Sequence, residues 1–162
     1  MTKKFLILVI TILAIYSVFF KYRPGQIFVM NVIALGVGKA FPEFPHVKPG
    51  EVSRDSILID VREENERAVS MIPGAVTRVQ FEHSRERFRK AKLVFYCTFG
   101  NRASEYAQIV RRDSFIVSNL RGGIIGWVQA GLPLVRNGGA AKKVHTQNKF
   151  FSLLVCGYVP VY

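Results

Sequence analysis

Four short apolar runs limit how this chain can fold: Ile57-Leu58-Ile59 ahead of Asp60, a stretch around Val76, Leu93 to Tyr96 ahead of Cys97, and Phe115-Ile116-Val117. Runs this brief and this uniformly apolar suit strands buried on both faces, as in a parallel sheet. Between and after them lie helix candidates: Glu63 to Val69, a strongly basic segment from Phe81 to Lys90, Arg102 to Arg112, and Ile124 to Ala130 behind the Gly122-Gly123 turn. Strands alternating with helices at this spacing predict an α/β domain with a mainly parallel sheet flanked by helices. Ligands in such sheets bind beyond the carboxyl ends of the strands. Cys97 occupies one such end, and Asp60 to Arg62 another.

The segment CTFGNR, Cys97 to Arg102, must turn from strand to helix within a few residues. Gly100 allows backbone angles that a Cβ resists. Successive amides can then point at the Cys97 sulfur, the following helix directs its positive N-terminus there, and Arg102 adds a cation. All three favour thiolate over thiol, the nucleophilic form. The same amides could cradle an anion or a persulfide. A buried, inert cysteine at a strand end is the other reading of the loop taken alone.

Four motifs in order add to that reading: ILIDVREENE (Ile57 to Glu66), MIPGAV (Met71 to Val76), YCTFGNRAS (Tyr96 to Ser104) and GGIIGWVQAGLPLV (Gly122 to Val135). Together they resemble the single-domain rhodanese-like sulfurtransferases, from about Val47 to Val135. The resemblance implies that Cys97 takes sulfane sulfur and carries it as a persulfide. It implies a cradle made by Thr98, Phe99, Gly100, Asn101 and Arg102, with Arg102 favouring anionic donors. Asp60 and Arg62 would brace the loop, and Trp127 would pack the closing helix onto the sheet. No cofactor and no metal is implied. The partners would be a small anionic sulfur donor and a thiol or cyanide-like acceptor.

The sequence departs from the family pattern at several places. Ser70 and Met71 stand where the family turn has Gly and His. Thr98 and Phe99 replace an Arg and a Ser of the common loop, and Ala103 replaces its second Ser. With one cationic side chain fewer and an apolar tip, thiosulfate is expected to be a poorer donor than a persulfide. The same architecture hosts phosphatases and arsenate reductases. Cysteine phosphatases place five residues between Cys and Arg, whereas four separate Cys97 from Arg102, and no Asp lies in the loop to protonate a leaving alcohol. A binding or adaptor module without turnover is the other reading that stays open. Members of that kind have typically lost the cysteine, which is present here.

Ahead of the domain, Phe5 to Phe20 form a charge-free run of 16 residues between Lys3-Lys4 and Lys21-Tyr22-Arg23. As a helix it spans roughly 24 Å, short of a hydrocarbon core of about 30 Å by an amount that thinning and snorkelling lysines close. A cleaved signal peptide is the alternative, but Ser17-Val18-Phe19 and Ala14-Ile15-Tyr16 lack a small residue at the last position. The expected organisation is therefore a membrane anchor over 1–23, a linker or interfacial helix over 24–46, the rhodanese-like domain over 47–136, and a basic then apolar tail over 137–162. The anchor is read as single-pass in an inner or plasma membrane. Flanking charges are nearly balanced. Reduced thiol acceptors favour the cytoplasmic face for the domain, with the periplasmic face open. Residues 27 to 38 suit an interfacial helix, a second membrane contact or a packed connector.

The net charge of +12 suits anionic partners, yet no nucleic-acid module is present in the sequence. Arg85, Arg87, Arg89, Lys90 and Lys92 cluster in one segment, either as a lipid-facing patch or as a solvated helix face. His46, His83 and His145 lack metal-ligand spacing. Cys156 is read as a packing residue more readily than as a resolving thiol. In the tail, Val144 to Leu154 is expected to form an amphipathic helix.

Overall fold

The computed structural model describes residues 3–162. Its centre is a five-stranded parallel sheet in the order β1-β5-β4-β2-β3. The strands are β1 (His46–Val47), β2 (Ser56–Asp60), β3 (Val76–Thr77), β4 (Lys92–Tyr96) and β5 (Ile116–Leu120). The helices that connect or follow them are α3 (Glu64–Val69), α4 (Arg78–His83), α5 (Asn101–Arg112) and α6 (Gly123–Gln129). The α/β reading with a parallel sheet holds.

The period-two alternation of β4 divides the core. Leu93, Phe95 and Cys97 face one layer with Phe81 of α4 and Ala103, Tyr106, Ala107 and Val110 of α5. Val94 and Tyr96 face the other, with Ile124 and Val128 of α6, Leu134 and Val144. Both layers are dominated by apolar side chains, so the strands need no polar alternation, and the buried polar groups Asp60, Arg62 and Asn119 lie at the carboxyl ends of the strands.

Three local expectations are corrected. The basic segment is not one helix from Phe81 to Lys90. Helix α4 begins earlier, where Thr77 and Gln80 form a capping box, and stops at Ser84; a separate 3₁₀ turn covers Arg85–Phe88. The break lets Arg85 reach the Asp113 carboxylate at 2.6 Å and Arg89 the Asp113 carbonyl at 2.6 Å, while both guanidiniums lie over Phe115. Lys92 pairs with Asp55. Much of the cluster is thus satisfied within the protein.

The edge strand β1 forms where the linker expected over 24–46 ends; His46 and Val47 pair with Asn119 and Leu120 of β5. The tail is not an amphipathic helix. It forms a hairpin of β6 (Val135–Arg136) and β7 (Gly139–Ala140), then β8 (Lys143–His145), a single turn of helix α7 (Lys149–Ser152) and β9 (Val159–Val161), which pairs in parallel with β8. Gln147 turns the chain with a φ of 69°, and Asn148 caps α7 by accepting a hydrogen bond from the Phe151 amide.

Two long helices precede the sheet, α1 (Lys3–Lys21) and α2 (Arg23–Ala40), separated by an extended Tyr22. Helix α1 is long and apolar enough to cross a membrane, and none of it is buried in the protein; a signal sequence meets the same description. Helix α2 packs onto the domain through Met30, Ala34 and Val37, with Ile125 and Leu154 beneath.

Candidate active site

Strand β4 ends at Tyr96, and the next residues fold as a tight cradle around the Cys97 sulfur. Gly100 adopts φ 116°, a conformation that L side chains rarely take, and its amide donates to Cys97 Sγ at 3.1 Å. A Cβ there would stand 3.0 Å from Asn119 Nδ2, so the neighbouring strand closes over the turn. Helix α5 starts at Asn101, with its N-terminus toward the loop. Behind the loop, the amides of Ile124 and Ile125 donate to the carbonyls of Cys97 and Thr98. A Cβ on Gly123 would sit 2.4 Å from the Cys97 carbonyl oxygen, which explains the glycine at the start of α6.

Each residue expected at the site falls on this loop or beside it. Cys97, Thr98 and Gly100 are fully or nearly fully buried; Phe99, Asn101 and Arg102 are half-buried. The Asn101 side chain turns away to Glu105 at 2.7 Å. Arg102 does not stand free. Its Nη1 and Nη2 donate to the two oxygens of Glu66 at 2.8 Å each, and Nη2 also reaches Thr98 Oγ1 at 3.1 Å. The hydrogen bond to Glu66 holds the guanidinium firmly charged against the opposing effect of burial. Burial works against ionisation of Glu66, but Arg102, the Glu63 amide and Thr98 outweigh it and bring the carboxyl down to about 2. The loop therefore offers an ion pair where the sequence suggested a lone cation.

Asp60 and Arg62 form a second pair, with both side chains wholly buried and Nη2 to Oδ2 at 2.7 Å. Arg62 also donates to the Ser70 carbonyl at 2.8 Å, and the Tyr96 hydroxyl donates to Asp60 at 2.6 Å. Burial, and then the Asp60 charge, push the Tyr96 phenol well above its ordinary range, so it remains a donor. This network fixes the residue immediately before Cys97. Trp127 is partly buried against the core layer of α6, with its indole donating to the Pro133 carbonyl at 2.9 Å.

Three residues join the site without a sequence signal of their own. Glu66 lies on α3, at the end of ILIDVREENE. His145, whose spacing points to no metal site, comes within 3.9 Å of Glu66 from β8. Phe151 of α7 stacks on Phe99, with ring centroids 4.5 Å apart and planes 16° apart. The tail thereby covers the loop tip, and Cys97 has no exposed surface.

The rhodanese-like domain family matches residues 48–130. A sulfurtransferase of Allochromatium vinosum is 34% identical over 88 residues, covering 51% of this chain and 81% of its own. The chain belongs to the rhodanese-like family. Among solved structures, a thiosulfate sulfurtransferase from Pseudomonas aeruginosa superposes with a TM-score of 0.51 at 20% identity, over 68% of this chain and 23% of its own. A Rhodopseudomonas palustris protein of unknown function, described as a possible tyrosine phosphatase, gives 0.52 at 19% identity, over 70% of this chain and 94% of its own. At such identities these likenesses carry the fold alone.

Proposed function

We propose that the chain is a sulfurtransferase that carries sulfane sulfur as a persulfide on Cys97, with α1 as its membrane anchor. The observation that carries this reading is the Gly100 amide aimed at the Cys97 sulfur from a tight turn at a strand end. In the first step the Cys97 thiolate attacks the outer sulfur of a donor R–S–SH. A new S–S bond forms, the donor S–S bond breaks, and RS⁻ leaves with the electron pair. In the second step a thiolate or cyanide attacks the outer sulfur of the Cys97 persulfide and releases the Cys97 thiolate. The sulfane sulfur is handed on and no external oxidant or reductant is needed. The amides of Thr98 to Arg102 would hold the terminal sulfur's charge. Because Arg102 is already paired with Glu66, a persulfide is the better donor and the dianion thiosulfate the poorer one.

One observation favours a second reading, a tethered binding module without turnover: Cys97 is fully covered, with Phe151 seated on Phe99. The full chain and its Cys97→Ser variant, reconstituted in lipid nanodiscs, separate the two. Each is treated with glutathione persulfide and with thiosulfate, then read by intact mass and by thiocyanate formed on adding cyanide. Gain of one sulfur on the parent alone, discharged as thiocyanate, is the expected result. No gain with either donor in a folded protein would favour the binding module.

A further inference from the structure

We infer that α2 lies in the plane of a membrane surface, with its outward apolar stripe of Phe28, Val32 and Leu35 seated in lipid. This rests on the reading of α1 as an anchor. Helix α2 is apolar on two opposite faces. Met30, Ala34 and Val37 are buried on the domain, whereas Phe28, Val32 and Leu35 are 57%, 53% and 52% exposed. Spacings of four and three residues put those three side chains on one stripe of the helix. A helix resting on a soluble domain turns charged residues to water, but no charge occurs between Arg23 and Lys39. Within residues 24–38 only Asn31 turns a polar side chain to water, so α2 lacks the charged outer face of a helix resting on a soluble domain, and its two apolar faces suit a core on one side and lipid on the other.

The bilayer is favoured as occupant by continuity with α1. The extended Tyr22 ends one helix and lets the next leave in a new direction. Phe28, the first residue of the stripe, lies beside the last turn of α1, its ring 5.7 Å from that of Phe19. The Gln26 side chain fixes the junction by donating to the Phe20 and Leu153 carbonyls at 2.9 Å each. Where α1 leaves the hydrocarbon, the stripe begins. Exposed Lys21 and Lys39 bracket it at either end, placed to meet anionic headgroups while their stems lie on apolar surface. Tyr22, 62% exposed at the turn, is the residue type enriched at membrane–water boundaries.

The same arrangement brings the active-site loop to the membrane. Phe20 at the end of α1 contacts Phe150 at 6.1 Å, Phe150 contacts Phe151 at 5.4 Å, and Phe151 stacks on Phe99 at the loop tip. A run of four rings thus connects the anchor with the tip of the Cys97 loop.

The test uses the full chain with Cys97→Ser and Cys156→Ser, in vesicles of phosphatidylcholine and phosphatidylglycerol. An environment-sensitive fluorophore is attached at Leu13→Cys, Phe28→Cys, Val32→Cys, Leu35→Cys or Val79→Cys, the last on the exposed side of α4, and quenched by lipids brominated at different depths. Positions 28, 32 and 35 should all be quenched, most strongly by shallow bromines about 5–10 Å into the headgroup and acyl boundary. Position 13 should respond most to deep bromines, and position 79 to none. Quenching at 13 without quenching on α2 would overturn the proposal and leave the anchor standing. No quenching at 13 would overturn the anchor reading and the proposal together. If label pairs on α2 show self-quenching between chains but no lipid quenching, the stripe is a contact between copies and the proposal falls.

Discussion

Arg102 and Glu66 meet as a two-pronged pair, Nη1 to Oε2 and Nη2 to Oε1, each at 2.8 Å. The pair fastens the loop behind Cys97 to α3, and it gives stability a definite pH signature. The Glu66 carboxyl falls from an ordinary 4.5 to about 2 on folding, because Arg102, Glu63 and Thr98 together outweigh the effect of burial. A group whose value is depressed on folding stabilises the native state fully above its unfolded value. That contribution is lost as pH falls toward the folded value. Glu66→Gln should therefore lower stability near neutral pH by about 1.5–3 kcal/mol, the range for hydrogen bonds to charged groups. The difference from the parent should shrink between about pH 4.5 and pH 2. Denaturant titrations of both proteins across that window provide the check, and a gap of constant size would contradict the assignment.

Phe151 stacks on Phe99, two residues after Cys97, and that pair is expected to limit opening of the loop around the thiol. An aromatic pair contributes about 0.5–1.5 kcal/mol beyond its buried area, so Phe151→Ala should raise the population of the open loop by about two- to twelvefold. Alkylation of Cys97 by iodoacetamide, measured with Cys156→Ser to leave a single thiol, should accelerate by that factor. An unchanged rate would mean that α7 does not control access.

The contrast between what the sequence made legible and what it did not follows from the range of the forces involved. Strands β2 and β4, the Cys97 loop and α5 are each written within a dozen consecutive residues, through apolar runs, one glycine and a helical pattern. Asp60 and Arg62 were visible as a strand end. Glu66, His145 and Phe151 were not, because each acts on a loop far away in sequence. The covering role of Phe151 depends on Gln147 and Asn148 turning the tail, which broke the expected amphipathic helix into a strand and one helical turn. Strand β1 is only two residues long and has no periodicity to read; its pairing comes from β5. The basic segment breaks at Ser84, and Arg85 and Arg89 beyond the break are held by Asp113 and Phe115 across the fold, which no local pattern announces.

Gly100→Ala tests the cradle itself. The φ of 116° is costly for any side chain, by about 1–3 kcal/mol. The new methyl would also press on Asn119 Nδ2. The loop should relax, and the Gly100 amide should turn from the sulfur. Sulfur loading from glutathione persulfide is expected to fall by about tenfold or more, equivalent to roughly 1.4 kcal/mol or more in the barrier. The measurement is the single-turnover rate by rapid-quench mass analysis on protein shown to be folded by circular dichroism. An unaltered rate would remove the Gly100 amide from the chemistry.

The buried pair of Asp60 and Arg62 calls for a different comparison, because its role is argued to be support and not contact with sulfur. Asp60 accepts hydrogen bonds from the Arg62 backbone and side chain and from Tyr96, and nothing of either charged side chain reaches water. Removing one partner strands the other, and breaking such a pair costs about 3–5 kcal/mol. Arg62→Met and Asp60→Asn should each be strongly destabilising. The double variant should lose less than the two losses added together, since it strands no charge. Urea unfolding of the four proteins measures that coupling. Sulfur loading per folded molecule, taken at low temperature where each variant is still native, then separates support from chemistry. Supporting residues should leave that rate within a few-fold of the parent despite the lost stability. A large loss of loading in a variant of near-parental stability would instead put Asp60 or Arg62 in direct contact with the reacting sulfur.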